Sequence, residues 1–251
     1  SLAQLSPAES LLMQMAQAHL KHLLPAHLMA SFSPFFSQAG HTLSHSEQAQ
    51  REREWSQKVR VVAASQPLLP PVIQEGVFDA VSEALYYNRW LNIDYSNAHG
   101  TRRQVEVMPL GLAQQGSRLY LVCRFKGYDN ERSLALNRIT SAVCSTFHFS
   151  RPTDFNLKRY DDDGRFGFGE GRHIRIHFTL ETARAQLLLE SPLSSDQQVS
   201  ELDDGRLRFS ATVVDSPMLD GFLATFGNTI SNIKRDLDDV STEQENNDEY
   251  R

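Results

Sequence analysis

The chain has 251 residues, 40% of them hydrophobic, enough for one large domain or two or three small ones with separate cores. A net charge of −6 excludes a protein that holds nucleic acid by an overall basic surface. Two cysteines make no disulfide framework, and the longest apolar runs (LLPP at 68–71, QLLLE at 186–190) are too short to span a bilayer. With no charged and then apolar leader at the start, a soluble cytoplasmic protein is expected.

Residues 1–65 read as helical. Ser6-Pro7-Ala8-Glu9 supplies an N-cap, a proline at the first helical position and a capping-box glutamate. Leu11, Leu12, Met15, Ala16, Leu20, Leu23 and Leu24 then recur at helical spacing. Pro25 stops that helix and starts another, with Leu28, Phe32, Phe35 and Phe36 on its apolar face. These phenylalanines and Trp55, on a polar third helix over 46–59, are core-packing residues or a dimer face. QPLLPP at 66–71 reads as a linker, because proline cannot continue a helix. The segment 1–71 is therefore expected to be a helical linker and dimerisation segment.

A helix is predicted over about 72–89, with Val77, Val81, Ala84 and Leu85 as its stripe. Strand-like text follows at 90–96, 102–114, 118–125, 132–139 and 143–149, separated by turns containing Gly, Asn and Asp. Several short strands after one helix predict a small, strongly bent antiparallel sheet or barrel over 72–150. Residues 151–172, rich in Gly and Asp, read as a connector. From 173 to 234 the order is strand, helix, hairpin, helix, strand, a ferredoxin-like βαββαβ arrangement. Residues 235–251 hold seven acids against two arginines and read as a disordered acidic tail. The fold class is thus α+β.

Charge is not spread evenly. Residues 85–145 carry eight Arg or Lys and four Asp or Glu, +4 inside a −6 chain. In SRLYLVCRFKGYDNERSLALNRIT (117–140), alternation puts Leu119, Leu121, Cys123 and Phe125 on a core face. The other face holds Arg118, Tyr120, Val122 and Arg124. On the next strand Arg132, Leu134, Leu136 and Arg138 fall together unless a bulge intervenes. Arginines that close around Tyr120 repel one another without a counter-ion, and a phosphate would relieve that by bidentate pairing. Solvation, or pairing with Glu106, Asp129 and Glu131, accounts for the same residues equally well.

The text from about 79 to 145 resembles the WYL domain, a small Sm-like (SH3-type) barrel found mostly in bacterial transcriptional regulators. The resemblance rests on ALYYNRWLNIDY, Arg103, Pro109, Gly116, Leu119-Tyr120-Leu121, and Arg132-Ser133-Leu134-Ala135-Leu136-Asn137-Arg138-Ile139. Leu119 stands where the family has Trp, and Asn137 where it has Asp. Residues 173–234 are similar to the extension that often follows this domain. Residues 1–65 resemble the segment joining it to an N-terminal winged helix-turn-helix.

The resemblance implies the effector-sensing and dimerisation part of a regulator. A homodimer would bind an anionic nucleotide or oligonucleotide and pass the signal to a DNA-binding winged helix. Tyr120 would stack on the ligand or hydrogen-bond it. Arg124, Arg132 and Arg138 would neutralise phosphate, with Arg103 assisting. Residues 1–45 contain a single Lys and no Arg, so the chain is expected to be a fragment, or a natural short form, lacking the N-terminal winged helix-turn-helix through which alone duplex DNA would be contacted. The alternative is a direct RNA- or single-strand-binding module.

Other constellations carry less. The pairs His19/His22, His41/His45 and His173/His177 have no third ligand at recognisable spacing, so no metal or cofactor is expected. GFGEG at 167–171 matches neither a dinucleotide-binding fingerprint nor a P-loop. Ser133 and Cys123 have no assigned base, so an enzyme is not expected.

Overall fold

A computed structural model describes residues 4–237. The chain divides into two compact units, Ser1–Thr153 and Asp154–Arg251.

In the first unit, α1 spans Pro7–Leu20 and opens on the expected capping box. Ser6 N–H donates to Glu9 Oε2 at 2.8 Å, and Glu9 N–H donates to Ser6 Oγ at 3.2 Å. The single helix predicted after Pro25 is two, α2 Ala26–Ser31 and α3 Ser33–His45. Pro34 has no N–H for the Ala30 carbonyl, so the first helix ends at Phe32 and the second starts. A 3₁₀ turn (Glu47–Ala49) and α4 (Gln50–Lys58) follow. α1 packs on α3, where Gln14 Nε2 donates to the Phe36 carbonyl at 3.1 Å.

No helix or strand forms between residues 59 and 76. The next helix, α5, spans Val77–Tyr87, five residues shorter at its start than predicted. Gly76 sits at φ 80°, outside the helical well, and Asn88 ends the helix at φ 54°. Val77, Val81 and Ala84 are buried at i, i+4 and i+7. α2 docks on α5: the Ala26 N–H donates to Ser82 Oγ at 3.1 Å, and the His27 and Tyr87 rings stack at 5.8 Å.

Five antiparallel strands follow: β1 Arg89–Ser96, β2 Arg102–Gln115, β3 Arg118–Phe125, β4 Glu131–Ala135 and β5 Ile139–His148. Their order in the sheet is β4-β3-β2-β1-β5. The long β2 is broken in register between Pro109 and Gly111, a bulge that bends the strand. Gly116, at φ 59°, allows the two-residue turn into β3. The strand predicted over 132–139 is interrupted, because Leu136–Arg138 form a 3₁₀ turn.

That turn closes the sheet. β4 and β5 are opposite edges, about 19 Å apart if five strands lay flat. Three residues of 3₁₀ turn advance only about 6 Å. The sheet must therefore curl until its edges meet, as in a small barrel. Its interior is Leu91, Ile93, Val107, Leu121, Cys123, Leu134, Leu136 and Ile139, with α5 over it.

In the second unit, the stretch read as a connector holds a short helix, α6 Leu157–Asp162, and a 3₁₀ turn, Arg165–Gly167. Then come β6 His173–Leu180, α7 Thr182–Glu190, β7 Gln198–Glu201, β8 Leu207–Val214, α8 Pro217–Ala224 and β9 Ile230–Leu237. The sheet order β7-β8-β6-β9, antiparallel throughout, completes the βαββαβ arrangement. β9 runs three residues into the stretch read as tail; the rest of that stretch lies outside the described residues. Among the described residues no helix is long and apolar enough to cross a membrane.

Candidate functional site

Alternation along β3 holds. Leu119, Leu121, Cys123 and Phe125 are buried in the barrel core, and Arg118, Tyr120 and Arg124 are part-exposed on the other face. Tyr120 lies opposite Ala135 of β4 on one side and Ala113 of β2 on the other. The next pair of positions, around Val122, are Ser133 and Gly111. Small residues thus flank the phenol, and Val122, on the same face, is fully buried.

The five predicted ligand residues are not all brought together. Arg124 shares Tyr120's face but is held by Glu131, Nη2 to Oε1 at 2.9 Å. Arg132 was expected beside Tyr120; it lies instead on the opposite face. It pairs in register with the core residue Cys123, and its guanidinium sits 4.4 Å from the Phe125 ring centroid and 5.8 Å from that of Tyr128. Leu136 and Arg138 no longer follow its alternation, because the 3₁₀ turn breaks the strand.

Arg138 ends that turn, three residues beyond Ala135, Tyr120's lateral neighbour. The following residue, Ile139, is opposite Tyr95, and Tyr95 is opposite Arg103 on its other side. Two strand spacings separate Arg103 from Ile139, about 10 Å. Arg138 thus follows closely on Tyr120's neighbour Ala135, whereas Arg103 alternates with the core-facing Val105 and Val107 and falls on the other face of the sheet from Tyr120. Among the described residues no hydrogen bond or ion pair engages the side chains of Arg103, Arg118 or Arg138.

Two residues escaped the site prediction. Arg118 shares Tyr120's face one pleat repeat away, about 7 Å; alternation carried that signal. Asn137, on the seam beside Arg138, buries its Oδ1 without a hydrogen-bond partner. Nothing in the sequence alone revealed that orphan acceptor.

The remaining sequence features resolve as structure. Cys123 is fully buried, and burial pushes its thiol up to about 12, far from a nucleophile. Lys126 pairs with Glu106 at 2.8 Å. The Gly-rich text at 164–171 packs tightly: a Cβ on Gly164 would meet Val214 Cγ1 at 2.8 Å, and one on Gly167 would meet Met218 Cβ at 2.8 Å. Among the described residues no cluster of three or more His, Cys, Asp or Glu is placed to hold a metal ion. Three cavities of about 540, 530 and 480 Å³ lie elsewhere, two beside α2 and one at the start of α8.

Residues 76–144 match the WYL domain family. No curated protein matches the chain. Among solved structures, the chain is similar to proteasome accessory factor B/C (PafBC) of Arthrobacter aurescens. That similarity is 21% in identity, covers 91% of this chain and 31% of that one, and has a TM-score of 0.34. It is also similar to a CRISPR Cas-related protein, at 15% identity over 61% of this chain and 46% of that one, with a TM-score of 0.41. The chain spans less than half the length of either.

Proposed function

We propose that this WYL domain protein senses an anion in a transcriptional regulator. The ligand is a nucleotide or short single strand held by Tyr120 and Arg138, with Arg118, on Tyr120's face, contributing charge. The observation that carries this reading is that Arg118, on Tyr120's face, and Arg138, three residues beyond Tyr120's neighbour Ala135, have no counter-ion among the described residues. Uncompensated guanidinium groups repel, and a bound phosphate converts that repulsion into charge-assisted hydrogen bonds. The role is binding rather than turnover.

Arg124 and Arg132 take structural parts in this account, neutralising Glu131 and covering Phe125. The protein acts as a homodimer, and duplex DNA is contacted by a domain other than the helices over 4–58. The ligand switches the regulator only if it binds two dimer geometries unequally.

Salt dependence tests the site against a strand-tracking groove. A site that neutralises one or two phosphates gives a log–log slope of about −1 to −2, whereas a groove following a single strand gives a steeper one, about −0.7 per phosphate neutralised. A slope of −4 or steeper for a short oligonucleotide would favour direct single-strand binding instead.

A further inference from the structure

The first unit carries two surfaces that lack what the other has. One is residues 59–70, every one of which is exposed. Val61 is 79% exposed, Val62 75% and Leu69 92%. Over 59–63 the chain runs without a bend, and Val59 is extended at φ −122°, ψ 143°. Among the described residues no hydrogen bond engages the backbone or side chains of 59–63. Arg60 is the single charge in these five residues, and three of the five are valine, which favours strands.

The other surface is the outer edge of β5, the last strand of its sheet. Its sequence, ITSAVCSTFH, contains no Lys, Arg, Asp, Glu or Pro. Those are the residues that natural edge strands use to repel a newcomer. Val143 and Phe147 stand 63% and 74% exposed on it. The seam occupies the edge only near Ile139 and α5 packs along β5; among the described residues no backbone–backbone hydrogen bond other than those to β1 engages the stretch towards His148.

We propose that residues 59–63 of one copy add a strand to the free edge of β5 in a second copy, reciprocally. This rests on the homodimer reading above and names its interface. Both elements belong to the same unit, so a two-fold exchange satisfies each copy with one kind of contact. Five residues are an ordinary strand length, and the valines of the arm would cover Val143 and Phe147. Main-chain pairing supplies the affinity, and apolar cover explains why so uncharged an arm and edge persist at the surface.

The test is sedimentation of the full chain together with hydrogen–deuterium exchange, on the wild type and on Val61→Pro. Proline removes a backbone donor from an exposed segment that bonds nothing within its own chain, so the fold is unaffected. The expected result is a dimer of the 28.4 kDa chain whose 59–63 and 142–148 amides exchange at least tenfold more slowly as concentration rises through the dimerisation range. Val61→Pro should abolish both protections and shift the protein to monomer. A dimer that survives Val61→Pro, with 59–63 unprotected, would overturn the exchange but leave the homodimer reading standing. A monomer at every concentration would overturn both. Protection independent of concentration would mean that the arm covers its own chain, and would also overturn the proposal.

Discussion

Arg124 and Glu131 face each other across β3 and β4, Nη2 to Oε1 at 2.9 Å, with 11% and 20% of their side chains exposed. We read Arg124 through this pair as part of the fold rather than of the ligand site. Removing one partner strands the other charge in a partly desolvated place. Glu131→Ala should therefore lower stability by about 2–3 kcal/mol in urea unfolding, below the cost for a fully buried pair. The double variant Arg124→Leu/Glu131→Leu should recover most of that loss. Equal losses in the single and double variants would show that the pair is not coupled.

Asn137 offers a separate handle. Its buried Oδ1 has no partner, so the folded protein already bears the desolvation cost of that atom, about 1–3 kcal/mol. Asn137→Leu should leave the melting temperature unchanged or raise it by a few degrees. If the orphan carbonyl serves the ligand, the same variant binds a nucleotide more weakly. A large drop in stability would mean that Asn137 is held by the fold.

The two thiols should behave differently. Cys123 is fully buried and its pKa is pushed up to about 12 by burial, while Cys144 is partly exposed and raised by burial first and Glu83 second. Alkylation of the native protein at pH 8 should label Cys144 and spare Cys123, as read by peptide mass. Cys123 also sets a pH dependence. Unfolded, its thiol ionises near 8.5; folded, it keeps its proton to about 12. Its contribution is fully present below about pH 8.5 and is lost as pH rises towards 12, at about 1.4 kcal/mol per unit. Cys123→Ala should lose stability less steeply between pH 9 and 10.5 than the wild type.

Gly164 tests whether the glycine-rich loop is packing rather than a ligand cradle. Its φ is 70°, and a Cβ there would meet Val214 Cγ1 at 2.8 Å. Gly164→Ala should cost about 2–4 kcal/mol from backbone strain and overpacking together, with nucleotide affinity unchanged. A change in affinity without a change in stability would reverse that assignment.

Much of the fold is readable from local chemistry. The capping box at Ser6, the valine stripe of α5, the Gly116 turn and the strand alternation of β3 and β6 each declare themselves within a few residues. The misread elements are those where a single residue overrides a pattern: Pro34 splitting a helix, Gly76 delaying one, and Leu136–Arg138 leaving the strand. The last took Arg138 off the alternation it would otherwise share with Arg132, while Arg132 itself lies away from Tyr120. Register across β3 and β4 fixes that face, and alternation within one strand cannot supply it. Arg103 likewise falls on the face of Val105 and Val107, away from Tyr120, and only the pairing of β1 with β2 shows it. Arg118 is legible from alternation alone, two residues from Tyr120 on the same face.

Nucleotide binding to the full chain, compared across the variants Arg138→Ala, Tyr120→Ala and Arg132→Ala, tests the central claim most directly. Titration calorimetry with a mononucleotide, a short single-stranded oligonucleotide and inorganic phosphate provides the readout. The account predicts at least a tenfold loss of affinity for Arg138→Ala and Tyr120→Ala at unchanged melting temperature. It predicts near wild-type affinity for Arg132→Ala, whose guanidinium lies on Phe125 at the other face. Unchanged affinity in Arg138→Ala, or a loss confined to Arg132→Ala, would contradict it.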